Sequence, residues 1–169
     1  MREIEIYTDG GCRKLAEGGY GVYSPDFRKG VRLRYCGYDP KTTNNKQELT
    51  AVLRALEFVA NSKITDAEVV TIFSDSQYVI NTFTIWIWNW LKNDTLKDKA
   101  NSDIIERIWK LKTRLYYEDW DIRFKKVPGH ANCEGNNVAD RLVNFAIDNQ
   151  YTGYCKLKNG ILAKSNKND

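Results

Sequence analysis

From Glu3 to Asp9 apolar and polar side chains alternate. Ile4, Ile6 and Thr8 fall on one face and Glu5, Tyr7 and Asp9 on the other, which is the two-residue period of a strand. Gly18-Gly19-Tyr20-Gly21 reads as a turn into a second strand over 20–25, Pro25-Asp26 opens another turn, and residues 30–36 read as a third strand. Three consecutive strands favour antiparallel pairing. From Asn45 the period lengthens: Leu49, Val52, Leu53, Leu56 and Ala60 recur at helical spacing, ending near Asn61-Ser62. Residues 67–73 form a continuous apolar run rich in β-branched side chains, the signature of a strand buried on both faces. Residues 76–91 read as helical with a break near Thr82–Thr84, 92–101 as a polar loop, and 103–117 as a helix burying Ile104, Ile105, Ile108, Leu111 and Leu115. A strand over 120–127 and a helix over 135–149 complete the pattern.

The order βββαβααβα predicts an α/β fold: a mixed five-stranded sheet, three antiparallel strands then two parallel ones, flanked by helices. The 169 residues suit one domain, placed at residues 1–150. Residues 151–169 read as a Lys- and Asn-rich extension that frays from Ala163 onward. No run of about 18 apolar residues is present, so no membrane span is expected. No signal-peptide core follows Met1, so the four cysteines are expected to be reduced thiols in a cytoplasmic-type compartment. The net charge of +4 is mild and permits a polyanionic partner without requiring one.

Four acids lie beside predicted element ends: Asp9, Glu48, Asp75 and Asp140. Each has an ordinary structural explanation. Asp9 could open a turn, Glu48 could complete a capping box with Asn45, Asp75 or Ser76 could cap the following helix, and Asp140 could be a solvated helix acid. Their placement outweighs these readings. Asp9 ends a strand expected to be central, and Asp75 ends the strand expected beside it. Their carboxylates would then lie about 5 Å apart, the spacing of adjacent strands. Like charges that close need a cation or a shared proton. An all-oxygen set suits Mg²⁺ or Mn²⁺, and two such ions can serve in-line phosphoryl displacement. His130-x-x-Cys133 offers only half a zinc site.

These segments also carry a resemblance. Tyr7-Thr8-Asp9-Gly10-Gly11, Thr43-Asn44-Asn45-x-x-Glu48-Leu49, Ser74-Asp75-Ser76-Gln77-Tyr78-Val79, Val127-x-Gly129-His130 and Gly135-Asn136-x-x-Ala139-Asp140-x-Leu142, in this order over roughly residues 3–150, make the chain similar to type 1 ribonucleases H. The resemblance implies an endonuclease that cleaves the RNA strand of RNA–DNA hybrids, leaving 5′-phosphate and 3′-hydroxyl ends. It implies two Mg²⁺ ions, with Mn²⁺ as a substitute, on Asp9, Glu48, Asp75 and Asp140. His130, the single histidine, would assist proton transfer or product release, as suits a side chain that titrates near neutrality. Gly11, Cys12, Asn44, Asn45 and Gln77 would read the minor groove and its 2′-hydroxyls, while Thr43 and Asn101 would hold a phosphate of the DNA strand. Such contacts do not read bases, so cleavage would be largely sequence-independent. A monomer with no obligate protein partner is expected.

Two segments depart from the family's bacterial pattern. Arg13-Lys14-Leu15-Ala16-Glu17 stands where relatives often carry Asn, Pro and Gly. After Trp86-Ile87-Trp88-Asn89-Trp90, Asp94 and Asp98 offset the lysines of a shortened basic handle, so looser hybrid binding with a shallow salt dependence is expected. The three tryptophans are expected to pack rather than to stack on bases. Because the chain begins at the first strand, no N-terminal hybrid-binding module is expected.

Overall fold

The computed structural model describes residues 1–127 and 133–168. Strands β1 (Arg2–Cys12), β2 (Gly18–Arg28) and β3 (Val31–Asp39) form the expected antiparallel meander. Helix α1 (Asn44–Ala60) leads to β4 (Ala67–Ser74), then α2 (Gln77–Asn81), α3 (Ile87–Lys92) and α4 (Ser102–Tyr117). Strand β5 (Asp121–Lys126), helix α5 (Glu134–Asn149) and strands β6 (Gly153–Lys158) and β7 (Ile161–Ser165) follow. The sheet order is β5-β4-β1-β2-β3-β6-β7. β4 runs parallel to both β1 and β5.

The sheet therefore has seven strands, not five. The additional pair comes from the segment read as an extension. β6 pairs antiparallel with β3, and β7 with β6, so Ala163–Ser165 is paired backbone rather than a fraying end. The hairpin turns at Asn159 and Gly160, both at positive φ (55° and 76°), the conformation that Asn-Gly supplies in a two-residue hairpin loop. Two other boundaries move. Gly18–Gly21 is strand, paired with β1 through Gly11↔Gly19 and Asp9↔Gly21, and the β2–β3 turn falls at Gly30 (φ 77°) rather than at Pro25-Asp26. Near Thr82 the helix widens without breaking. Residues Thr82–Trp86 form a π turn, with the Ile87 N–H donating to the Thr82 carbonyl. The Thr82 hydroxyl donates to the Tyr78 carbonyl (2.7 Å).

Alternation along the strands separates two cores. Ile4, Ile6, Val22, Leu33 and Ile72 join Leu49, Leu56 and Ile105 on the α1–α4 side. Tyr23 and Cys36 join Leu142, Ala146 and Cys155 on the α5 side. All four cysteines are free, and the buried Cys36 and Cys155 thiols lie 3.7 Å apart. Of the tryptophans, Trp90 packs on the larger core and carries Lys99 over its ring. Trp88 is exposed, with its ring edge-on to Trp109. In the shortened handle Lys97 pairs with Asp94 in the open (3.5 Å), an arrangement of little energetic weight. Among the described residues, no helix is long and apolar enough to cross a membrane.

Candidate active site

The site forms where β1 and β4 end side by side. The parallel register sets Tyr7 against Phe73, so Asp9 and Asp75 leave the two strands at the same level. Asp9 sits in the last part of β1, with its Oδ1 accepting the Gly10 N–H at 2.9 Å. Glu48 arrives from the opposite direction, in the second turn of α1. Gly10 decides how near it can come. A Cβ there would lie 2.3 Å from the backbone carbon of Gln47 and the backbone nitrogen of Glu48. Only a glycine lets the start of α1 rest on the end of β1. Gly21 does the same for α5, because a Cβ there would lie 2.4 Å from the Ala139 carbonyl oxygen. Asp140 follows directly on that close approach.

The ordinary explanations for two of the acids are occupied by neighbours. Thr43, not Asn45, caps α1, its hydroxyl accepting the Lys46 N–H at 3.2 Å. Ser76 caps α2, accepting the Val79 N–H at 3.2 Å. Glu48 and Asp75 are left with no capping duty.

Carboxylate oxygens of Asp9, Glu48 and Asp75 lie within 4.8 Å of one another. Asp9 and Glu48 are buried, and Glu48 Oε2 has no hydrogen-bond partner. Asp140 is exposed and lies outside this close trio, but it lines the same cleft, of about 470 Å³. Burial raises the Asp9 carboxyl to about 7, with Asp75 and Asp140 adding repulsion, and it raises Glu48 to about 10, with Asp9 and Asp75 adding theirs. Asp75 is raised by burial, Asp140 adding to the rise while its own backbone N–H and Lys126 oppose it. The fold thus gathers acids in a place where, without a cation, it disfavours their charge. An unpartnered buried carboxylate oxygen in an all-oxygen set fits a hard divalent cation.

Gly11, Cys12, Asn44 and Asn45 line this cleft, with both asparagines exposed in the first turn of α1. Gln77 stands beside it, its amide engaged by Asn81 (2.7 Å) and Lys126 (2.8 Å). Asn101, in the left-handed conformation (φ 61°), precedes α4, away from the cleft lining. His130 lies outside the described residues. Two polar lining residues escaped the sequence reading: Arg13, which follows the glycine motif directly, and Asn144, one helical turn after Asp140. Helical spacing from Asp140 and adjacency to Cys12 were the available signals.

The family model described as RNase H matches residues 1–148. Ribonuclease H of Ruthia magnifica subsp. Calyptogena magnifica is 36% identical over 160 residues, covering 88% of this chain and 97% of that protein. Ribonuclease HI of Rickettsia prowazekii is 36% identical over 145 residues, covering 83% and 88%. Among solved structures, LC11-RNase H1 in complex with an RNA/DNA hybrid is 30% identical with a TM-score of 0.61, over 87% of this chain and 98% of that one. LC9-RNase H1, a type 1 RNase H with the type 2 active-site motif, is 25% identical with a TM-score of 0.70, over 96% and 77%.

Proposed function

The chain belongs to the ribonuclease H family, and from that premise we propose that it is an endonuclease hydrolysing the RNA strand of RNA–DNA hybrids. The observation that carries this reading is the trio of Asp9, Glu48 and Asp75, with carboxylate oxygens within 4.8 Å and one of them buried without a partner. A relative solved with an RNA/DNA hybrid supports the substrate. Asp9, Glu48, Asp75 and Asp140 would hold two Mg²⁺ ions, with Mn²⁺ as a substitute. When bound, such ions supply an activated water and neutralise charge on the attacking and leaving oxygens.

The chain's own residues do the rest. Asp9 lies centrally, on the strand between β4 and β2, and would help to hold the ions. Gly11 and Cys12 present backbone, and Asn44 and Asn45 present amides, to the minor groove, where ribose 2′-hydroxyls distinguish RNA from DNA. Gln77 joins them from the adjoining wall. Thr43 and Asn101 hold a phosphate of the DNA strand, and His130 moves a proton or eases release of the product. Products carry 5′-phosphate and 3′-hydroxyl ends, and backbone and 2′-hydroxyl contacts make cleavage largely indifferent to sequence. Residues 1–150 form the catalytic unit and 151–169 an appended segment. The enzyme acts as a monomer in the cytoplasm, where its four free thiols stay reduced.

The test is to incubate the protein with labelled RNA–DNA hybrid, RNA duplex and DNA duplex, with Mg²⁺ and with EDTA, beside Asp75→Asn. Metal-dependent cleavage confined to the RNA of the hybrid, and lost in the variant, is expected. Cleavage of the hybrid in EDTA, or of none of the substrates under any condition, refutes the assignment.

A further inference from the structure

Four carboxylates line the cleft, and among the described residues one cation lines it with them: Arg13. A polyanionic substrate entering such a cleft finds in Arg13 the one side chain there with a charge opposite to its own. Arg13 is not a free surface arginine. Its backbone N–H donates to the Glu17 carbonyl (2.8 Å), and its own carbonyl accepts the Ala16 N–H (3.1 Å). The short turn so formed, Lys14–Ala16, places Leu15 and Ala16 at φ 70° and 66°, a conformation L-residues seldom adopt. It is pinned from outside by the Thr42 N–H on the Ala16 carbonyl (2.7 Å).

The side chain is held as firmly. One terminal nitrogen donates to Asn144 Oδ1 (2.9 Å), and the other to Asp148 Oδ1 (2.5 Å), both on α5. Asn144 in turn donates to the Asp140 carbonyl at 3.1 Å. An unrestrained arginine here would be drawn toward Asp9, Glu48 and Asp75 and would compete with a cation for them. Held on α5, it is kept off those acids. A guanidinium has five N–H donors; Asn144 and Asp148 engage two, and the side chain is 40% exposed.

We propose that Arg13 is a preset phosphate anchor, its guanidinium fixed on α5 by Asn144 and Asp148 and taking a backbone phosphate of the bound hybrid with its remaining donors. The planar fork matches phosphate geometry, and pre-organisation spares the entropy of ordering a long side chain on binding. The anchor follows Gly11 and Cys12 directly and rests against α5. This assignment rests on the reading of the cleft as a hybrid site.

The experiment compares Arg13→Ala, Arg13→Lys and Asp148→Ala. Hybrid binding is followed by fluorescence anisotropy across a salt series in the Asp75→Asn background, alongside steady-state cleavage and thermal melting. Arg13→Ala is expected to weaken binding about tenfold, to raise KM more than it lowers kcat, and to flatten the salt dependence by about one phosphate contact. Arg13→Lys should restore the salt slope and part of the affinity. A purely structural tie to α5 would instead lower the melting temperature equally in Arg13→Ala and Asp148→Ala and leave the salt slope untouched. That result, or unchanged binding in Arg13→Ala beside an active parent, overturns the anchor alone. A parent protein that neither binds nor cleaves the hybrid overturns the cleft reading and the anchor together.

Discussion

The two ends of β1 and α1 are built on opposite terms. Toward the ends away from the cleft, Ile4, Ile6, Leu56 and Val59 are at most 2% exposed and belong to one core. Each apolar group removed from water there stabilises the fold. A few residues along the same elements, Asp9 and Glu48 are also buried (7% and 8% exposed), yet they are acids pressed together with one oxygen unpartnered. The first region holds the protein together. The second works against it, and persists because the first is strong enough to carry it. Buried acids with strongly shifted titration mark places kept for a ligand or a reaction.

The contrast can be broken most severely at Asp9. Asp9→Asn keeps the shape and removes one charge. If the carboxylate supplies several kcal/mol to the transition state through its cation, hybrid cleavage should fall about a thousandfold or more, measured by single-turnover assay. Leu56→Ala, at the other end of the comparison, should cost about 2–5 kcal/mol of stability, measured by denaturant unfolding. Its folded fraction should retain kcat within a few-fold.

Gly10→Ala tests the seam between the regions. The added Cβ meets the backbone of Gln47 and Glu48 at 2.3 Å, which should cost about 1–3 kcal/mol and shift Glu48 away from Asp9. Unlike Leu56→Ala, it should therefore lower stability and kcat together.

The most gradual expected effect is in pH. Because burial raises Asp9 to about 7 and Glu48 to about 10, the metal-free folded state holds protons that the unfolded chain has released. Its stability is thus fullest below about pH 4 on these two groups and is lost as pH rises through 7 and beyond, by at most about 1.4 kcal/mol per pH unit per group. Thermal melts in EDTA across this range check the slope. Added Mg²⁺ should remove most of it.

Much of the core was legible because it obeys simple periods. Ile4 and Ile6 alternate with Glu5 and Tyr7, and α1 shows its buried stripe at helical spacing. The meander, the parallel β4 and the convergence of Asp9 with Asp75 followed from strand order alone. The C-terminal hairpin was missed although Asn159-Gly160 announces it, because its strands carry lysines and are exposed or half-buried, and only Cys155 is fully buried between them. The glycines at 18–21 looked like a turn, since nothing local reveals that α5 and the neighbouring strands press close enough to require them. Nothing beside Gly10 in the sequence reveals that its space is taken by α1. Such approaches between distant segments are tertiary facts. Arg13 was passed over for the same reason: its partners Asn144 and Asp148 lie more than 130 positions away.

The central claim is that Asp9, Glu48 and Asp75 are held together against the fold's interest for the sake of a divalent cation. The most direct measurement compares the melting temperature of the parent protein and Asp9→Asn above pH 7, in EDTA and over a Mg²⁺ titration. The variant should be the more stable of the two without metal, and Mg²⁺ should raise the parent's melting temperature far more than the variant's, reversing the order. A parent that is already the more stable in EDTA, or that Mg²⁺ leaves unmoved, would contradict the claim.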